Sequence, residues 1–295
     1  MGNYKKIALL VLLQLGCQKE EPVQNLSPLI NFSEPQKVTM LGYDGVIMEP
    51  FITRDDSRLF FNNSNSAVNT ELHWAAKVDD TTFDYQGVLA NVNTNALEGV
   101  ATMDENNNFY FVSTRSYDKD LSTIYKGVYQ SGMVSGVSLV EGISRQEPGQ
   151  VNFDVEVSND GNYLYVVDGT YDSSGGPYTA NFVVVEKNGS TFSRSTISDE
   201  VLQHINTNNL EYAAGISADG LELYFTRITA PISANSLARI YYSVRSSVNV
   251  PFPMPQLLEV ANGFVEGPTV SGDGQRIYYH KREDDTFALY MVSKQ

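Results

Sequence analysis

Five acidic residues stand at corresponding places along this chain. Glu49, Glu98, Asp154, Glu211 and Glu266 fall four, five, four, six and five residues before the Thr, Met or Ser that opens a recurring block. Carboxylates gathered this way can take a cation, hold a basic partner, or work as an acid/base pair. Their structural alternative is to accept backbone N–H bonds in the loop that enters a strand. Side chains alternate along a strand, so offsets differing by one cannot all face the same way unless bulges intervene.

A second set joins them. Tyr117, Tyr171 and Tyr178 sit in long intervening stretches, with Arg115 and Arg227 near the ends of predicted strands. Such rings suit a polypeptide or a sugar chain, because they offer apolar area with a polar edge. Among 18 tyrosines, most serve as filling between sheets. The three histidines, His73, His204 and His280, are scattered without metal-ligand spacing, and no Gly-x-Ser-x-Gly elbow occurs, so neither a metal nor a cofactor is expected.

The elements that must position these groups are read from the recurring block itself. Ser217-Ala218-Asp219-Gly220 followed by Leu223-Tyr224-Phe225 returns as Thr53-Arg54-Asp55-Asp56 with Leu59-Phe60-Phe61, and as Met103-Asp104-Glu105-Asn106 with Phe109-Tyr110-Phe111. Ser158-Asn159-Asp160-Gly161 with Leu164-Tyr165-Val166, and Ser271-Gly272-Asp273-Gly274 with Ile277-Tyr278-Tyr279, complete the set. The acidic turn residue falls at 55, 105, 160, 219 and 273, a spacing suited to a repeated unit of about 50 residues. Asp-Gly between apolar runs marks a tight hairpin, and an aliphatic-aromatic-aromatic triplet suits a strand covered on both faces.

Two further strands follow each hairpin. The third is predicted at 72–78, 123–129, 181–186, 239–244 and 289–292, and the fourth at 87–91, 137–140, 191–196 and 256–260. The last unit lacks a fourth strand of its own, and the isolated segment 37–41 is predicted to supply it. The architecture expected is all-β: a five-bladed β-propeller of four-stranded antiparallel blades closed by the N-terminal strand, with a six-bladed ring containing one degenerate blade as the alternative. Helix is expected only around 199–205, before the fourth unit. Long loops at 62–70, 114–121, 169–180 and 228–238 point to a binding face opposite the tight turns.

The blocks, with Glu49-Pro50 ahead of the first and Phe111-Val112-Ser113-Thr114-Arg115 after the second, resemble the repeat of TolB-type β-propellers across roughly residues 37 to 294. That resemblance implies the fold, and a role as docking platform, sensor or occasional enzyme domain. Five-bladed glycosidases of the arabinanase and invertase kind also place carboxylates around a central channel, although five Asp-Gly hairpins are not their signature.

The N-terminus carries its own information. Lys5 and Lys6, the apolar run 7–13 and Gly16-Cys17 read as an export signal over 1–16, too short to span a bilayer. Cys17, the single cysteine, resembles the acylated first residue of a bacterial lipoprotein. Gln14 departs from that pattern and leaves cleavage by the general signal peptidase, or an uncleaved anchor, as alternatives. Gln18-Lys19-Glu20-Glu21 resembles a tag for the outer face of a Gram-negative outer membrane, its alternative being a plain polar tether. Residues 17–36 are expected to form the lipidated cysteine and tether, and 37–295 the propeller. Thirty-five acidic against 20 basic residues, a net charge of −15, argue against a nucleic-acid partner. The function expected is a monomeric cell-envelope lipoprotein, held to the membrane by lipid alone, binding an envelope protein or glycan without chemistry of its own. A glycosidase using channel carboxylates and a structural component of an envelope complex are the alternatives.

Overall fold

The computed structural model describes residues 25–233 and 235–295. The expected export signal, Cys17 and the tag after it lie outside the described residues.

Each repeated block folds as predicted into a hairpin followed by further antiparallel strands. In the first unit the strands Met48–Ile52, Arg58–Asn62, Leu72–Asp79 and Thr82–Val88 pair in order. The same order holds for Glu98–Met103 to Met133–Leu139, for Gln150–Val157 to Thr191–Arg194, and for Leu210–Ile216 to Gln256–Leu257. The third and fourth units are joined into one sheet by a single parallel ladder pair, Ala180 with Leu210. The first strands of the five units contact one another in cyclic order, the last against the first. This is a β-propeller with five blades.

Its core is not central. Each of five apolar clusters lies between two neighbouring blades, and the predicted triplets supply them: Leu59, Phe60, Phe61, Leu223, Tyr224, Phe225, Ile277, Tyr278 and Tyr279 are all fully buried. A strand sandwiched on both faces is hydrophobic without alternation.

The turns follow from the Ser-x-Asp-Gly chemistry. Ser217 Oγ accepts the N–H of Glu222 and donates to Asp219, while Asp219 accepts the N–H of Leu221. Thr53, Ser158 and Ser271 repeat this arrangement. The left-handed position is Gly in three turns and Asp56 in the first. The second turn differs from its sequence alignment. Asp104 stands where the others have Ser or Thr and itself accepts the N–H groups of Asn106 and Asn108, and Asn107, not Asn106, takes positive φ. Its loop is one residue shorter, which displaces Glu105 from the expected acidic place.

Two boundaries shift. The stretch expected as the long loop 169–180 is mostly strand, because the hairpin Tyr163–Asp172 with Gly175–Asn188 continues its pairing outward to Asp172 opposite Gly175. The predicted short helix is present as Ser198–Val201, and a second single turn, Tyr117–Asp120, was not expected.

Ring closure uses more chain than expected. Segment 37–41 was assigned whole to the last blade. Instead Gln36–Lys37 pairs antiparallel with Tyr290 and Met291, Val38 N–H donates to Leu289, and Thr39–Leu41 crosses to run parallel with Thr82–Asp84 of the first blade. Residues 25–36, expected as tether, are packed: Ser27 is buried and bonds Met254 and Val244, and Phe32 sits edge-on to Tyr242 at 5.6 Å and Tyr224 at 6.5 Å. Ser33 bonds Ser293 in both directions. The body thus includes the described residues from Asn25 on, since the outer edges of blades four and five otherwise leave backbone groups unpaired.

A chain beginning at Thr39 loses the part of this strap that covers the outer edges of blades four and five. We expect a loss of about 3 kcal/mol or more, a fall in Tm of roughly 6–12 °C for a protein of this size. An unchanged melting curve would mean that closure does not depend on the strap.

Candidate functional site

Every inner strand carries a bulge. Pairing shifts register between Met48 and Phe51, Gly99 and Thr102, Asn152 and Asp154, Tyr212 and Gly215, and Glu266 and Thr269. In four blades the bulged residue has left-handed φ: Glu49, Val100, Ala213 and Gly267. These bulges sort the five predicted acids into two groups.

Glu98 and Glu211 lie before the bulge and act as loop clamps. Glu98 is fully buried, accepts from Thr94 N–H, Thr94 Oγ1 and Ser113 Oγ at 2.8 Å each, and faces Arg115 at 3.2 Å. Glu211 is equally buried, accepts from Thr207 N–H and Oγ1, and pairs with Arg227 at 2.7 Å. Each guanidinium lies over two rings, Phe111 and Tyr125 for Arg115, Phe225 and Tyr241 for Arg227. Each also bonds a loop carbonyl, Val92 or Ile205. Both arginines are therefore structural here. Tyr117, another predicted site residue, bonds Gly149 and Gln150 through its hydroxyl and stays outside the cavity described next.

Glu49, Asp154 and Glu266 converge on the channel. They line a cavity of about 780 Å³ whose walls include Phe153, Tyr171, Tyr178 and Tyr212. Beneath Glu49 and Asp154 it narrows to a void of about 20 Å³. Deeper still, Arg54 extends to Glu156 at 2.7 Å, Ile216 O at 2.8 Å and Val157 O at 3.0 Å, tying the first blade to the third and fourth. The channel is a pocket open on the long-loop side.

Within it the acids differ. Glu266 accepts from Tyr212 Oη on one oxygen and faces His280 Nε2 at 3.3 Å on the other. His280 is fully buried, and Glu49 N–H donates to its Nδ1 at 3.1 Å, so the tautomer these contacts require is neutral, with the proton on Nε2 toward Glu266. Burial opposes a charge on His280 while Glu49 and Glu266 favour it, drawing its pKa upward overall. Sequence spacing missed His280; the signal was cross-strand register, because His280 lies directly opposite Glu266 once the bulge is counted.

Asp154 is 3% exposed and accepts one hydrogen bond, from Ala213 N–H at 2.9 Å. Burial, then the charge of Glu49, raises its carboxyl well above the usual range. Burial likewise raises Glu49, which His280 only partly offsets; Glu49 accepts from Asn65 at 3.0 Å. Burial and then Asp154 raise Tyr171, and burial and then Glu266 raise Tyr212. Tyr178, at the exposed rim, donates to Asp172 at 2.9 Å. Two carboxyls two blades apart thus face the cavity without a Lys or Arg partner among the described residues, both raised by burial, Asp154 well above the usual range, which is an arrangement able to donate hydrogen bonds to a polar ligand or to serve as an acid/base pair. Among the described residues, no group of three His, Cys, Asp or Glu is placed to hold a metal ion.

No protein-family model matches the chain, and no curated protein matches it. Solved structures do resemble it. BT0996, solved as an RGII complex, superposes with a TM-score of 0.60 at 9% identity, over 90% of this chain and 93% of that one. Zg3597 of Zobellia galactanivorans, a family 117 glycoside hydrolase, gives 0.56 at 11% over 90% of each chain. The Bacillus subtilis arabinanase Arb43A gives 0.52 at 13%, over 85% and 94%. TolB from Acinetobacter baumannii gives 0.46 at 13%, and the match spans about half of that chain, 54%. At these identities the likeness is one of fold.

The two groups of acids should respond oppositely to substitution. Arg227→Ala leaves Glu211 buried without its partner and should cost about 3–5 kcal/mol. Asp154, with its pKa raised in the fold, adds stability fully present below its unfolded pKa and lost as pH rises through the folded value. Asp154→Asn should therefore match the wild type in acid and become the more stable protein as pH rises to neutral, read from melting curves across pH. A gap that does not grow with pH would contradict the placement of Asp154.

Proposed function

We propose that this propeller binds a carbohydrate in the channel-mouth cavity. The observation that carries the reading is the cavity itself: about 780 Å³, ring-walled, closed beneath, with Asp154 and Glu49 presenting carboxyls to it. That volume suits a small ligand, and aromatic walls with a few convergent polar groups are what sugar rings require. Docking of a protein across the long-loop face is less well supported, since a stable interface needs about 800 Å² on each partner and the distinguishing feature here is concave. That two of the similar folds are a glycoside hydrolase and an arabinanase agrees with a saccharide ligand without deciding it.

One observation favours a second reading, glycoside hydrolysis. Asp154, its pKa raised by burial and by Glu49, would donate to the leaving oxygen, and Glu49 from across the ring would act as base or nucleophile. Titration of the purified chain with oligosaccharides, combined with product analysis, separates the two. Binding should weaken at least about tenfold in Tyr171→Ala, a loss of one ring contact. Binding without products supports the platform, products that vanish in Asp154→Asn support the enzyme, and no binding by any saccharide would refute both.

We further propose that the chain is displayed at the cell envelope through acylated Cys17, at the outer membrane of a Gram-negative cell. Growth with a fatty-acid analogue should label the wild type and not Cys17→Ala, and equal labelling would refute the anchor.

A further inference from the structure

We propose that the cavity selects saccharides bearing a protonated amine over acetylated, neutral or acidic ones, an inference that rests on the carbohydrate reading above. The lining holds three carboxyl side chains, Glu49, Asp154 and Glu266, and no Lys, Arg or His. Three other buried carboxylates meet a guanidinium, while buried Asp104 is satisfied instead by hydrogen bonds from Asn106 and Asn108. Glu156 has Arg54 at 2.7 Å, Glu211 has Arg227 at 2.7 Å, and Glu98 has Arg115 at 3.2 Å. Among the described residues Glu49 and Asp154 have no such ion pair, although Asp154 is as deeply buried as Glu156. A buried carboxylate without a counter-charge is costly unless it takes a proton or a cation arrives. Here the missing charge is on the ligand's side.

The walls complete a cation site. Phe153 meets Tyr171 edge-on at 5.9 Å and Tyr212 at 6.0 Å, giving three rings beside Asp154. Ring faces next to a carboxylate hold an ammonium group, and the same acids repel a uronate. Sugar rings with free amines satisfy both requirements, the ring lying on an aromatic wall and the amine on Asp154 or Glu49. Asp154 interacts with Glu49, Glu156, Tyr171 and Tyr212, while the Arg54 guanidinium is already paired with Glu156 and His280 sits against Glu49 and Glu266, so an arriving cation drives the carboxyl to release its proton.

The test is calorimetric titration of the purified chain with four oligomers of one length: glucosamine, N-acetylglucosamine, xylose and galacturonate, with a lysine tripeptide as a non-sugar amine. The glucosamine oligomer should bind at least about tenfold tighter than its acetylated counterpart near neutral pH, and its binding heat should vary with buffer ionisation as protons are released. Asp154→Asn should bring the affinities for the glucosamine oligomer and its acetylated counterpart to within about twofold of each other, and Glu49→Gln gives the same readout should the first variant fail to fold. Equal or tighter binding of the acetylated, neutral or acidic oligomer, or heats independent of buffer, would overturn the amine selectivity and leave the carbohydrate reading standing. A lysine tripeptide binding as tightly as the amino sugar would overturn the saccharide part, and binding by none of the oligomers would remove the carbohydrate reading itself.

Discussion

Five strands meeting around one axis leave almost no room beside the backbone, and the inner-strand bulge is how this chain accommodates that crowding. A Cβ at Gly215 would stand 2.3 Å from the carbonyl oxygen of Pro268 in the next blade. Strands this close cannot keep an even ladder through the full height of the ring, so each breaks register once. The cavity lies against these breaks, lined from the five inner strands by Glu49, Val100, Phe153, Tyr212 and Glu266.

The same break decides what each acid does. An acid placed before it, as Glu98 and Glu211 are, turns back into its own entry loop and finds Thr, Ser and Arg partners. Glu49 and Asp154, four residues before the turn, project at the channel instead. Glu266 falls between and is absorbed by His280 and Tyr212. Burial that would be a fault in a structural residue becomes, at Asp154, a way of raising a carboxyl's pKa where a ligand can meet it.

Much of the fold was legible because its causes are local. Ser-x-Asp-Gly closes its own hydrogen bonds within five residues, and the Leu-Tyr-Phe triplet announces a strand covered on both faces whatever its neighbours. The ring's seam was half legible: an unpaired strand at 37–41 was visible, but its division between two blades depends on competing partners, Tyr290 for Lys37 and Thr82 for Thr39, that its own residues do not announce. The strap at 25–36 was hidden by prolines and polar residues that look like linker, yet Phe32 and Ser27 find Tyr242 and Met254. In the site, the acids were found by spacing and their separation into clamps and cavity groups was not, since one bulge position reverses the face. His280 escaped for the same reason.

The chemistry of the channel mouth depends on Asp154 and Glu49 facing a cavity into which, among the described residues, no Lys or Arg projects. Carboxyl carbon NMR of aspartate- and glutamate-labelled protein, titrated from acid to mildly alkaline pH, tests this most directly. Two resonances assigned through Asp154→Asn and Glu49→Gln should change well above the usual carboxylate range, and Asp154 should do so over a window displaced from those of the exposed aspartates. Ordinary titration of both would mean that water reaches them freely, and that the channel mouth is an open surface with no buried site.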